Sequence, residues 1–177
     1  MIDLMASNRE NAKEFFSAGL EILRRKDYSE ARRLFEMSLK YDSENPIYYR
    51  YRGEALFHMG KKEESFNNLK SSIILYNNNI TIKPDVAEYH DGKAEVLKFI
   101  ANYFDPDIET ILSLGVEMLP EEDYEDKTDL LMRRYASIYW EVLREHEKAI
   151  NLDPGNVDFR LHKASTMQFL GDVTKSD

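Results

Sequence analysis

Residues 48–65 read YYRYRGEALFHMGKKEES, and the stretch 34 positions earlier, residues 14–31, reads EFFSAGLEILRRKDYSEA. Slid over one another without a gap, they pair Phe15 with Tyr49, Gly19 with Gly53, Ile22 with Leu56, Glu30 with Glu64 and Ala31 with Ser65. The same offset continues downstream, pairing Phe35 with Leu69, Ser38 with Ser72 and Leu39 with Ile73. Each pair keeps its size class. So many matches at one step need a structural cause, and the simplest is a repeated supersecondary unit.

The unit is helical. Apolar residues recur at helical spacing, the helix formers Glu, Lys, Leu, Arg and Ala dominate, and nothing alternates in the manner of a strand. The five prolines and seven glycines fall between such stretches. A helix, a tight turn and a second helix make a hairpin with one apolar face uncovered, which a neighbouring hairpin must bury. Gly19 and Gly53, opposite Ala31 and Ser65, permit the close backbone approach of antiparallel helices. Phe15, Tyr49, Phe35 and Leu69 are expected to fill the space between helices, each contributing about 1.5 to 3 kcal/mol on full burial.

This pattern resembles the tetratricopeptide repeat family: an aromatic, then Leu-Gly, Tyr, Ala, Phe, a small residue and Pro. Repeat one carries it in Phe15, Ala18-Gly19, Ile22, Ala31, Phe35 and Ser38, with KDYSEA at 26–31 as the turn. Repeat two carries it in Tyr49, Arg52-Gly53, Leu56, Ser65, Leu69 and Ser72, with MGKKEES as the turn. The closing Pro is replaced by Ser43 in the first, with Pro46 three residues late, and by Asn77 in the second. The resemblance implies an all-α fold, a right-handed superhelix of antiparallel helix hairpins (an α-solenoid) with about three or four repeats and a C-terminal capping helix.

One domain over 1–177 is expected, with repeats at about 12–45, 46–79 and 85–120, a degenerate one at 123–154 and a terminal helix at about 156–170. YNNNITIKPD, residues 76–85, reads as an irregular Asn-rich insertion. A third hairpin follows, with Asp105 as helix cap, Pro106 at the first helical position and a second helix ending near Pro120. Counting back from Pro120 puts Ile108, Leu112 and Gly115 at the Ala, Phe and small-residue positions. KAINLDPGN closes the fourth unit with Ala149 and Pro154 in register, yet 130–150 contains no helix breaker, so one long helix and a hairpin both fit. The last stretch, DFRLHKASTMQFLG, is an amphipathic helix stopped by Gly171, either a polar cap or half of a further repeat.

In that register Tyr48 and Tyr49 are core. Arg50, Tyr51, Glu54, Phe57 and His58 fall on the helix face that lines the concave surface in this family, and Lys13, Phe16, Ser17, Leu20, Leu23 and Arg24 form the same stripe one repeat earlier. The candidate peptide-binding residues are Lys13, Phe16, Leu20, Arg24, Arg50, Tyr51, Glu54, Phe57 and His58. Aromatic and aliphatic side chains edged with positive charge suit a peptide with apolar anchors and acidic neighbours. Packing is the competing reading for each aromatic, since a one-residue register shift exchanges the two faces. The Lys and Asn carboxylate clamp of some family members is missing, because its first-repeat positions hold Phe16 and Leu20 and its second Tyr51.

Charge and composition exclude several other classes. The net charge of −9 disfavours general nucleic-acid binding, and it is concentrated: residues 86–127 hold 12 acidic and 3 basic residues, against 13 and 14 in 1–85. There is no cysteine, hence no disulfide or thiolate metal site. The N-terminal MIDLMASNRE carries no apolar stretch of signal type, and no run approaches the roughly 20 apolar residues of a membrane helix. A cytoplasmic location is expected.

His58, His90, His146 and His162 are far apart in sequence and read as solvated or edge residues; REHEK lacks the second His of a zinc-protease helix. MGKKEES fails as a phosphate loop, and there is no Gly-x-Ser-x-Gly elbow or Gly-rich dinucleotide turn. PEEDYED at 120–126 reads as a solvated loop, with a weak divalent-ion site or a docking patch for a basic partner as alternatives. The Arg pairs 24/25, 32/33 and 133/134 read as solvated helical faces. The expected role is a non-enzymatic scaffold binding a protein or peptide on its concave face, without cofactor, metal, nucleic acid or membrane. The alternative is a self-associating assembly module, in which case a homodimer forms.

Overall fold

The computed structural model describes residues 2–120 and 127–173, with side chains described over 6–120 and 133–170. Its helices are α1 (Ile2–Arg24), α2 (Tyr28–Tyr41), α3 (Pro46–His58), α4 (Lys62–Ile82), α5 (Ala87–Tyr103), α6 (Ile108–Ser113), α7 (Lys127–Leu152) and α8 (Val157–Val173). Among the described residues there is no strand. Backbone contacts divide the chain into two compact units, residues 1–75 and 76–177, where the sequence reads as one domain.

In the first unit α1 pairs with α2, and α3 packs on α2 and pairs with α4. The 34-residue step is visible in the contacts. A Cβ built on Gly19 would lie 2.5 Å from Phe35 Cε1, and one on Gly53 would lie 3.1 Å from Leu69 Cγ. Ala31, Ser65, Phe35 and Leu69 are fully buried, Tyr48 nearly so, whereas Phe15 and Tyr49 are only half-buried. The Ser65 hydroxyl donates to the Gly53 carbonyl at 2.7 Å and the Ser72 hydroxyl to the Pro46 carbonyl at 2.8 Å, which ties the second hairpin along its length.

The two turns close alike. Lys26 N–H donates to Leu23 O and Asp27 N–H to Ile22 O; one step on, Gly60 N–H donates to Phe57 O and Lys61 N–H to Leu56 O. These paired bonds are a Schellman ending, which places one residue in the left-handed region. That residue is Gly60 at φ +78 in the second turn and Lys26 at φ +63 in the first. An L side chain there carries a steric cost that glycine avoids. Lys26→Gly is therefore expected to stabilise the protein by about 1 kcal/mol, seen as a rise in the urea midpoint at unchanged m; an unchanged or lowered midpoint would count against the strain.

Several expectations for the second unit need correction. α4 runs to Ile82, so most of 76–85 is helical rather than irregular. The polar side chains find partners that leave the helix intact: Asn77 donates to the Leu114 carbonyl at 3.3 Å and Thr81 to Asn77 O at 2.8 Å. The cap of α6 is Asp107, accepting from Thr110 N–H at 2.8 Å, and not Asp105. Asp105 is instead engaged by Arg134 at 3.1 Å, whose Nη1 also donates to the Pro106 carbonyl. α6 stops at Ser113, well short of Pro120, because Gly115 at φ +77 closes a third Schellman ending with Gly115 N–H on Leu112 O and Val116 N–H on Ile111 O. Ile111 is buried and Leu112 exposed, contrary to the expected register.

The partner of α5 is thus α7 and not the short α6. α7 is one helix of 26 residues, the single-helix form of the two open readings. Side-chain bonds from α7 to backbone hold the connector along it: Arg133 Nε donates to Leu119 O at 2.5 Å, Ser137 accepts from Leu119 N–H at 3.0 Å, and Tyr135 reaches Phe104 O at 3.4 Å. The Arg133/Arg134 pair is therefore structural, not a solvated face. α8 lies on α7 and extends past Gly171, and its Phe159 joins Ala87 and Ala149 in a buried cluster. The run at 121–126 lies outside the described residues.

Candidate functional site

The proposed binding residues all belong to the first unit, on α1 and α3. Phe16 of α1 meets three rings: Tyr51 edge-on at 5.4 Å, Tyr48 at 5.0 Å and Phe35 at 5.8 Å. Phe16, Leu20 and Tyr51 pack, half-buried, over the Ala31, Phe35 and Ala55 core. They pack onto the core and keep part of each side chain exposed. The Arg50 guanidinium carbon stands 5.0 Å over the Tyr51 ring, a cation–π contact of about 0.5 to 1 kcal/mol at such a site.

The other members are placed around that patch. Lys13 and Arg24 are exposed, and Arg24 pairs with Glu21 at 3.2 Å, so part of the basic edge is already neutralised. Glu54 and Phe57 are half-buried. His58 is exposed but stacks on Tyr28 at 4.5 Å and meets Phe57 edge-on at 5.6 Å, joining the start of α2 to the end of α3. The structure brings Phe16, Leu20, Arg50 and Tyr51 together; Lys13 and Arg24 flank them on α1.

A second concentration of chemistry was missed. His90, Asp91, Lys93 and Glu95 of α5 are buried, as are Glu141, Glu145 and His146 of α7. His90 and His146 are core residues, not edge residues. His90 Nδ1 lies 2.5 Å from Glu145 and its Nε2 2.9 Å from the Pro84 carbonyl. Both ring nitrogens face acceptors, so the imidazolium alone satisfies both. The hydrogen bond to Glu145 raises the pKa of His90 above its usual 6.5 against the opposing effect of burial. Lys93 Nζ donates to Glu141 at 2.9 Å and reaches Glu145 at 3.5 Å, while Arg144 and Lys148 cover the outer side of these carboxylates.

Asp91 accepts from His146 Nδ1 at 3.1 Å and from His162 Nδ1 of α8 at 3.0 Å. Burial would push its carboxyl up, but the two imidazoles outweigh it and bring it down to about 2. Glu145 behaves alike: burial opposes, and the bonds from His90 and Lys148 with the charge of Lys93 hold it well below the carboxylate range. Among the described residues no group of three or more His, Asp or Glu is arranged to hold a metal ion, and no helix is long and apolar enough to cross a membrane. The cluster cross-links helices. One signal in the sequence was available: Glu141 and Glu145 share a face of α7 one turn apart, as do Asp91 and Glu95 on α5.

No protein-family model matches the chain, and no curated protein matches it. Solved structures do. It is similar to the first tetratricopeptide domain of human RPAP3 (13% identity, 96% of this chain and 99% of that one, TM-score 0.48). It is likewise similar to the first such domain of Spaghetti (RPAP3) bound to an HSP90 peptide, SRMEEVD (13%, 92% and 98%, TM-score 0.47). A third is the Sgt2 domain from Aspergillus fumigatus (14%, 93% and 82%, TM-score 0.46). Likeness at this level says nothing of what this chain binds. Its own geometry is more telling, since one step of 34 residues carries Gly19 against Phe35 onto Gly53 against Leu69 and the Lys26 turn onto the Gly60 turn. The first unit is thus built of antiparallel helix hairpins repeated at a step of 34 residues.

Proposed function

We propose that the protein is a non-catalytic cytoplasmic scaffold whose first unit receives a peptide on the α1–α3 face, the peptide carrying apolar anchors beside acidic residues. The observation that carries this reading is the half-buried Phe16–Tyr51 edge with Arg50 over it. Half-exposed aromatic rings offer contact area at low entropy cost, and a neighbouring guanidinium favours an acidic flank. The exposed Lys13, Arg24 and His58 and the half-buried Leu20, Glu54 and Phe57 are the further candidates on α1 and α3. Apolar side chains stand where a carboxylate clamp would need donors, which favours side-chain anchoring over capture of a chain terminus.

Fluorescence polarisation with synthetic peptides tests it. A peptide alternating aliphatic and acidic residues is expected to bind, and its charge-reversed counterpart to bind at least tenfold more weakly. Arg50→Glu with Phe57→Ala is expected to weaken the acidic peptide roughly tenfold or more, since about 1.4 kcal/mol of lost contact has that effect, while circular dichroism keeps the parent helicity. Equal affinity for both peptides, or a folded double variant that binds like the parent, would refute the assignment.

A further inference from the structure

We propose that His162 is a proton-dependent latch that fastens α8 to α5 within the second unit. α8 is anchored, among its described residues, by Phe159, packed with Ala87 and Ala149, and by Phe169, whose ring lies 5.6 Å from that of Tyr139. Among its described residues Phe159 and Thr166 are buried, while Val157, Leu161 and Met167 are 57%, 59% and 55% exposed. A helix held by so few buried side chains sits at the low end of local stability, where one polar contact changes the open population measurably.

That contact is well defined. His162 Nδ1 lies 3.0 Å from each oxygen of Asp91. The groups around it come from both packed helices. α5 presents Asp91, Glu95 and Lys98, with Lys98 itself bonded to Glu95. α7 presents His146, whose ring centroid is 6.1 Å away and whose Nδ1 shares Asp91. On α8 the adjacent Lys163 is turned toward Glu147 of α7. His90, by contrast, is spent between Glu145 and the Pro84 carbonyl and does not reach α8.

Asp91 is ionised throughout the neutral range, so the proton on His162 decides the strength of the contact. The hydrogen bond to Asp91 raises the pKa of His162 above 6.5, burial opposes it, and Glu95 adds to the rise. A raised pKa fixes the sign: the contribution is complete below pH 6.5 and fades as pH rises through the folded value. The neutral ring still donates Nδ1–H, so the latch loosens rather than vanishes. Solvent at the 38% exposed imidazole screens part of the charge term.

Hydrogen exchange on the full chain between pH 5.5 and 8.5, expressed as protection factors, reads this directly. Amides of α8 are expected to lose roughly three- to tenfold in protection as pH rises, the fold-change set by the free-energy difference between a charge-assisted and a neutral hydrogen bond, with α1 to α3 unaffected. His162→Gln keeps a donor that does not titrate, and is expected to abolish the pH dependence at α8. A variant that keeps the parent's pH dependence overturns the proposal. So does an NMR titration of His162 in the parent protein with a midpoint at or below 6.5, a measurement that stands even if the variant fails to fold.

Discussion

Gly53→Leu is expected to lose about 3 kcal/mol of stability, read as a fall in the urea midpoint and as early loss of the α3–α4 hairpin on heating. The cause is overpacking, which typically costs about 1 to 3 kcal/mol and more where the backbone obstructs relief. A Cβ at this position already meets Leu69 Cγ at 3.1 Å, Leu69 Cδ2 at 3.2 Å and the Ser65 carbonyl oxygen at 3.2 Å. Leu69 is fully buried and cannot swing outward, and Ser65 O belongs to the facing helix. The three further carbons of leucine can be placed only by moving α3 from α4, which stretches the Ser65–Gly53 and Ser72–Pro46 bonds. Gly53→Ala separates sterics from propensity. One carbon at 3.1 Å demands a shift of a few tenths of an ångström, which the gain of alanine over glycine in a helix, about 1 kcal/mol, largely offsets. A leucine variant with the parent's midpoint would show that the hairpin does not close on Gly53.

The same residues explain how much of the fold was legible. In the first unit the signal was geometric and local: a small residue on one helix faces a large one 16 positions later, as Gly19 faces Phe35 and Gly53 faces Leu69, and sequence preserves both members. The candidate face was half legible. Phe16 and Tyr51 were placed on one stripe, and they touch, but their share in the core could not be read from a period that does not say how deep a ring sits. The second unit was misread because polar groups went inward. Binary patterning sends His90, Asp91, Lys93 and Glu95 to solvent, and only their pairing with Glu145, His146, His162 and Lys98 on other turns makes their burial tolerable. The connector after Tyr103 added a second error, because its backbone partners are arginines 28 or 14 residues away that look like surface charges.

Glu145→Gln is expected to destabilise the second unit by about 3 kcal/mol, the low end for breaking a buried ion pair by removing one member. Glu145 is 2% exposed and joins three cations: His90 at 2.5 Å, Lys148 at 2.9 Å and Lys93 at 3.5 Å. The amide keeps the shape but removes the charge, leaving Lys93 to Glu141 alone and the His90 proton without its counter-ion. The loss should also reshape the pH profile. The lowered pKa of Glu145 gives stability that is present above its unfolded value near 4.5 and is lost as pH falls through the folded one; the raised pKa of His90 gives stability present below 6.5 and lost as pH rises. The parent should therefore be most stable between about pH 4.5 and 6.5 in this unit, and the variant should make both flanks shallower, the remaining slope coming from Asp91 and His162, which shift in the same directions. Urea titrations at pH 4, 5.5 and 8, with exchange at α5 and α7 amides to localise the change, decide it. A loss below about 1 kcal/mol with the parent's pH profile intact would mean that the carboxylate does not bind these helices together.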